Sequence, residues 1–260
     1  ILEHSDTKAI FIGKLDDFAL QTKGVPKNIT RISFDDYGIK EEYTWNSLLH
    51  QYAAMQQVND PKQDDLFTII YTSGTTGTSK GVMHTFGNFD RVLHTAIQEV
   101  LLPKHAHMFS YLPMSHIAER IGIELNGIYN ACTISFAESI DTFAANVQEV
   151  QPHVFFAVPR LWGKFREGIL KKIPQKKLNI LLSVPIINTI IRKKIKKALG
   201  LSRASHIFSA SAPISVELLK WFDRLGVTIL QALGMTEDCV YAHFERPYAY
   251  RFGSVGKPLK

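Results

Sequence analysis

Tyr71-Thr72-Ser73-Gly74-Thr75-Thr76-Gly77-Thr78-Ser79-Lys80-Gly81-Val82-Met83 is the stretch around which the rest of the chain is organised. It follows Leu66-Phe67-Thr68-Ile69-Ile70, a short apolar run rich in β-branched and aromatic residues, which reads as a buried strand emptying into a loop. Gly74, Gly77 and Gly81 permit backbone conformations that turn N–H groups toward one point. Thr72, Ser73, Thr75, Thr76, Thr78 and Ser79 add hydroxyl donors, and Lys80 supplies positive charge. That combination is suited to holding phosphates. The Walker template of glycine, four residues, then Gly-Lys and a hydroxyl residue fails here, because Ser79 and Gly81 occupy the two decisive places when counted from Gly74. An ordinary surface turn made of the same residue types is the competing reading.

A length of 260 residues with 45% hydrophobic content is enough to bury a sizeable core, as one large domain or two small ones. The chain starts at Ile1 and stops in mid-pattern at Gly256-Lys257-Pro258-Leu259-Lys260, so it is expected to be a piece of a longer protein. Cys132 and Cys239 are too few for a disulfide framework or a metal site, which points to a reducing, cytoplasmic setting. No secretory leader pattern is visible. The most apolar window, Leu178 to Ile191, is broken by polar residues and proline and is shorter than the roughly 18 residues of a spanning helix. A net charge of +6 suits anionic ligands or an anionic surface.

Period-two and period-3.6 segments alternate along the chain. Strands are expected at Ala9–Leu15, Ile29–Phe34, Leu66–Ile70, Met108–Leu112, Cys132–Phe136, Val154–Val158, His206–Ser209 and Val227–Leu230. Helices are expected from Thr44 toward Val58, from Phe86 to before Pro103, and over Ile117–Tyr129, Thr142–Val150, Leu161–Ile173 and Ser215–Leu225. This alternation predicts an α/β fold with a largely parallel sheet covered by helices.

Lys171 to Leu199 stands apart in composition. Ile187, Ile190, Ile191, Ile195, Ala198 and Leu199 form one helical stripe, while Arg192, Lys193, Lys194, Lys196 and Lys197 crowd the other faces. The segment reads first as a core-packed helix with a solvated basic face. Contact of the basic helix 186–199 with an anionic membrane surface is the alternative, and nucleic-acid binding is disfavoured because no aromatic residues interleave with the charges.

The 71–83 stretch resembles the phosphate-binding signature of the AMP-forming acyl-CoA synthetase and luciferase superfamily, usually Ser-Gly-Thr-Thr-Gly-x-Pro-Lys-Gly, with Ser79 in place of the proline. Other segments resemble the same family. Ser209-Ala210-Ser211-Ala212-Pro213 stands where the family has Ser-Gly-Gly-Ala-Pro, which lines the adenine. Gln231-Ala232-Leu233-Gly234-Met235-Thr236-Glu237 is similar to the family's Tyr-Gly-Met-Thr-Glu motif, with Leu233 replacing the tyrosine that stacks on adenine. Tyr111-Leu112-Pro113-Met114-Ser115-His116-Ile117-Ala118-Glu119 resembles the segment typical of the long-chain branch, often Leu-Pro-Leu-Ser-His, and Pro159-Arg160-Leu161-Trp162 and Gly253 to Pro258 are also similar to that branch. The resemblance runs over most of the chain from about residue 64.

The resemblance implies the large amino-terminal domain of an adenylate-forming enzyme that joins ATP, a long-chain fatty acid and coenzyme A. It assigns the ATP phosphates to Thr72–Thr78 and Lys80, and the base to Ala210, Ser211, Ala212 and Pro213, with Leu233, Gly234 and Met235 beside them. Thr236 would meet a phosphate, Glu237 would help hold Mg2+, and His116 would lie near the reacting carboxylate. It also puts the ribose-binding aspartate, the hinge and the lid lysine beyond Lys260, and early strands before Ile1, so the 260 residues alone are expected to be inactive. A noncatalytic nucleotide-binding remnant and an aryl or medium-chain acid ligase remain open.

Overall fold

A computed structural model describes residues 1–15, 17–73 and 77–259. The chain divides into two compact units, Ile1–Met83 and His84–Lys260, with the division inside a strand.

In the first unit, β1 (Ala9–Ile12), β2 (Thr30–Ser33) and β3 (Tyr43–Thr44) form a parallel sheet in that order, with the short helix α1 (Phe18–Gln21) between the first two. Phe11, Phe34 and Trp45 pack ring against ring beside it, with centroids 5.9–6.2 Å apart. Helix α2 (Trp45–Gln51) starts with a reciprocal cap between Thr44 and Ser47. It ends seven residues before Val58: Tyr52, Met55 and Val58 recur at three-residue spacing but are all exposed, so no packing supports further turns. β4 (Leu66–Thr72) and β5 (Lys80–Thr85) then pair. The loop expected up to Met83 is therefore shorter, since Lys80 already begins a strand. Gly81 makes this pairing possible: a Cβ there would fall 2.8 Å from Ile69 and 3.3 Å from Tyr71.

The second unit opens with α3 (Phe86–Glu99), capped by Thr85, which buries Phe89, Leu93 and Ala96 at helical spacing, with Val100 buried just past its end. β6 (His107–Ser110) pairs in parallel with β7 (Thr133–Phe136). Between them the expected helix is present but not uniform: α4 (Ile117–Glu119) and α5 (Asn126–Tyr129) flank a π-helical turn at Arg120–Leu125. Helix α6 (Phe143–Val150) leads to β8 (Val154–Phe156), and α7 (Pro159–Lys172) begins with proline at its first position.

The 171–199 segment is two helices, α8 (Gln175–Ser183) and α9 (Pro185–Ala198), separated by Val184. Pro185 cannot continue the first helix but suits the start of the second. The expected single stripe splits accordingly: Ile195 and Leu199 are buried, whereas Ile187 and Ile190 face water.

The last elements are β9 (His206–Ser209), α10 (Val216–Asp223, capped by Ser215), β10 (Leu230–Leu233), β11 (His243–Phe244) and β12 (Lys257–Pro258). Strands β8, β9 and β10 run parallel, and β11 and β12 extend the sheet antiparallel. β10 lies three residues later than the apolar run Val227–Leu230 suggests, because pairing with Phe208 and Ser209 of β9 fixes its start at Leu230. Trp162 is the hub of the main core. It is fully buried and edge-on to Phe155, Phe165 and Phe222, and its indole N–H donates to Ala157 O at 3.2 Å. The Pro-Arg-Leu-Trp run thus has a structural explanation.

Candidate functional site

In the second unit a pocket gathers residues from the carboxyl ends of several parallel strands. Tyr111 follows β6, Phe156 ends β8, Ala210 and Ser211 follow β9, and Ala232 and Gly234 lie at the end of β10. Open α/β sheets place ligands at such strand ends, where backbone is free to meet them. The wall opposite is Ala118, Glu119, Gly122 and Asn126, and Val100, Phe208 and Phe244 contribute apolar surface.

Glu119 is the polar group that sequence reasoning passed over within Tyr111–Glu119. It is 2% exposed, and its Oε1 accepts the Tyr111 backbone N–H at 3.2 Å. Burial pushes its pKa up, opposed by hydrogen bonds from the Ser110 side chain and the Tyr111 and Leu112 backbone. A glutamate on a helix otherwise showing Ile117, Ile121 and Ile123 to the core was the signal for it. The π turn carries Gly122 into the pocket wall, and such turns recur beside functional sites. Tyr111 O–H donates to Phe156 O at 2.7 Å, and burial, with Glu119 nearby, raises its pKa.

His116 occupies the amino-terminal cap position of α4, but its side chain makes no capping bond and is exposed. Neither capping nor packing accounts for it. Its neighbours Ala118 and Glu119 line the pocket, whereas His116 itself does not.

The segment after β9 departs from regular backbone. Ser211 has φ +70, the left-handed conformation that glycine adopts without strain, at a position where the resembling family carries glycine. Ala212 and Pro213 are exposed beyond it. Leu233 lies within β10 opposite His243, half its surface in water, and Met235 is exposed.

After Gly234 the chain folds into a tight turn. Val240 N–H donates to Met235 O at 2.9 Å, Cys239 N–H to Thr236 O at 3.2 Å and Met235 N–H to Asp238 Oδ1 at 2.7 Å. Cys239 and Val240 have left-handed φ, and a Cβ on Gly234 would lie 2.2 Å from the Val240 Cα. Thr236 and Glu237 therefore sit on a turn, not at a helix start, and Glu237 is exposed with no ion pair among the described residues. Beneath them His84 and Cys239 are buried side by side.

The first unit carries the phosphate-loop residues. Thr72 ends β4, Ser73, Thr78 and Ser79 follow or precede strand, and Lys80 opens β5 with its side chain exposed and in no ion pair among the described residues. Gly77 has φ +80, the conformation for which glycine was singled out. Gly74, Thr75 and Thr76 lie outside the described residues.

Among the described residues no group of three His, Cys, Asp or Glu side chains could hold a metal ion. A single exposed carboxylate such as Glu237 suits Mg2+ that draws its remaining oxygens from a polyphosphate and water.

The family model described as AMP-binding enzyme matches residues 1–260, and the chain belongs to that family. It is 30% identical over 256 residues to long-chain-fatty-acid–CoA ligase ACSBG2 of Xenopus laevis, covering 84% of this chain and 34% of that protein. It is 32% identical over 229 residues to the putative fatty-acid–CoA ligase fadD11 of Mycobacterium tuberculosis, covering 75% and 39%. The chain thus spans between a third and two fifths of the length of these relatives. Its fold is that of the inhibitor-bound amino-terminal domain of FACL13 from Mycobacterium tuberculosis, with a TM-score of 0.71 at 19% identity, over 99% of this chain and 58% of that one. It also matches o-succinylbenzoate coenzyme A synthetase (MenE) of Bacillus subtilis in complex with ATP and magnesium ion, with a TM-score of 0.68 at 19% identity, over 99% and 46%.

Proposed function

We propose that the protein to which this chain belongs activates a long-chain fatty acid with ATP and passes it to coenzyme A. The carboxylate attacks the α-phosphate, giving acyl-adenylate and pyrophosphate, and the thiol of coenzyme A then displaces AMP. The observation that carries this reading is the sequence Thr72–Gly81, in which glycine and hydroxyl residues precede the exposed Lys80, in a chain whose relatives are named as fatty-acid–CoA ligases.

In this reading Thr72, Ser73 and Gly74 through Thr78 cradle the β- and γ-phosphates with backbone N–H and hydroxyl groups, and Lys80 balances their charge. Ala210 to Pro213, with Leu233, Gly234 and Met235, receive the base; Thr236 takes a phosphate oxygen and Glu237 the magnesium ion. When bound, Mg2+ offsets charge building on the leaving pyrophosphate. Positioning supplies most of what the protein contributes to such chemistry. The apolar surface of Val100, Phe208 and Phe244 supports an aliphatic substrate. His116, outside that lining, is assigned to the carboxylate end by the family resemblance alone. Two unpaired cysteines support a cytoplasmic setting. The chain is read as part of the adenylation domain, with the lid supplied from outside it.

The test is pyrophosphate release by the full-length protein given ATP, coenzyme A and acids of graded length. Release that rises from octanoate to palmitate supports the reading. Nucleotide binding without release for any acid would identify a noncatalytic remnant, and release confined to benzoate-type acids would identify an aryl-acid ligase.

A further inference from the structure

The positive charge of this chain is concentrated in one place. Nine of its 30 lysines and arginines, and none of its 24 acidic residues, fall between Lys171 and Lys197. The remainder holds 21 basic against 24 acidic residues, a net charge of −3. No lysine of this segment is in an ion pair among the described residues. Such a charge island is a field directed at an anionic partner.

Its shape says which kind. Helices α8 and α9 meet at Val184, and one side of the pair is fastened to the unit. Trp221 Nε1 donates to Gln175 Oε1 at 2.8 Å, Arg224 to Asn179 Oδ1 at 3.1 Å, and Arg192 Nε to Arg224 O at 2.9 Å. Leu178 and Ile195 are buried on that side. The tip of the pair is apolar and bare: Ile180 and Ile186 keep 66% and 77% of their surface in water, and Val184, Ile187 and Ile190 are also exposed. Ile186, Ile187 and Ile190 share one helix face by their spacing. Lys176 and Lys177 sit one turn before Ile180, and Lys193 and Lys194 one turn after Ile190, so lysines stand about 5 Å back from the isoleucines on both helices. That setback matches the roughly 5–10 Å to which amphipathic elements sink at a bilayer surface, with lysines left among the headgroups. Beside the pair, Ile169, Ile173, Ile191 and Ile195 line an almost wholly apolar crevice bordered by Lys172 and Lys194, a fit for an acyl chain under an anionic head.

We propose that the α8–α9 tip is a docking element for anionic phospholipid bilayers, with Ile180, Ile186, Ile187 and Ile190 entering the acyl region and the flanking lysines binding headgroups. A nucleic acid or acidic protein would use the lysines but leave the isoleucines idle. The proposal goes beyond the ligase reading and does not rest on it.

The test is flotation of the full-length protein with phosphatidylcholine vesicles, with and without 30 mol% phosphatidylserine, alongside heparin-column retention. Binding to the serine-containing vesicles is expected, with loss in high salt. I186N/I190N should weaken vesicle binding at least tenfold and leave heparin retention unchanged. K193Q/K194Q should weaken both, by about fivefold per lysine for vesicles. The substituted side chains are exposed, and an unchanged melting temperature confirms folding. Vesicle binding untouched by I186N/I190N, or absent altogether while heparin retention persists, would overturn the proposal in favour of a polyanion site.

Discussion

His84 Nδ1 lies 3.5 Å from Cys239 Sγ, both side chains almost wholly buried, so the end of β5 is fastened beneath the turn that presents Thr236 and Glu237. Burial lowers the His84 pKa, against the opposing pull of the Thr236 backbone and the Glu237 charge. Burial likewise raises the Cys239 thiol, together with Asp238, to about 11, so the pair is neutral at pH 7. A histidine whose folded pKa is depressed binds fewer protons folded than unfolded, and stability therefore falls as pH drops below the unfolded value of about 6.5. His153 and His206 are lowered chiefly by burial as well and act in the same direction. The melting temperature is expected to decline from pH 7 to pH 5, and H84L should decline less. Identical pH slopes for the two proteins would show that His84 does not titrate in this way.

Glu119 has the opposite sign. Its raised folded pKa gives stability that is fully present below the unfolded value of about 4.3 and is lost as pH rises through the folded pKa. E119Q should therefore be at least as stable as the parent at pH 8. E119A, which leaves the Tyr111 N–H without its acceptor, should cost about 1–3 kcal/mol. Urea denaturation at pH 5 and pH 8 distinguishes these outcomes; equal losses in both variants would mean that the charge, not the hydrogen bonding, is what the fold uses.

Ser211 holds a left-handed backbone, so S211G is expected to raise stability by about 1 kcal/mol, measured by thermal denaturation. A loss on that substitution would show that its hydroxyl does more than its backbone costs.

Gly234 has no such latitude in the other direction. With the Val240 backbone 2.2 Å from where a Cβ would stand, G234A must displace the Thr236–Glu237 turn, at about 2 kcal/mol or more. Thermal denaturation measures the loss, and an unchanged midpoint would mean the turn adapts freely.

The alternation of strand and helix, and hence the parallel α/β architecture, could be read from periodicity because long buried faces such as Phe89, Leu93 and Ala96 repeat strongly. Elements decided by partners could not. β10 starts at Leu230 because β9 lies beside it, and β11 and β12 are two residues each, too short to show any period. β5 was hidden by the glycine-rich residues before it, although Val82 and Thr85 are good strand formers. Pro185 could have announced the break between α8 and α9; the exposure of Ile187 and Ile190 depends on tertiary packing. For the candidate site, the glycines and small residues were visible as motifs. The buried carboxyl of Glu119 emerged only once β6 and α4 were seen to close around it.

Residues 72–81 are proposed to hold the polyphosphate of ATP so that a fatty acid can be adenylated. That role is tested most directly by measuring fatty-acid-dependent pyrophosphate exchange in the full-length protein carrying Lys80→Ala, with folding checked by circular dichroism. A fall in rate of about 100-fold or more is expected for loss of a charge that stabilises the reacting phosphates. An unchanged rate in a correctly folded variant would contradict the account.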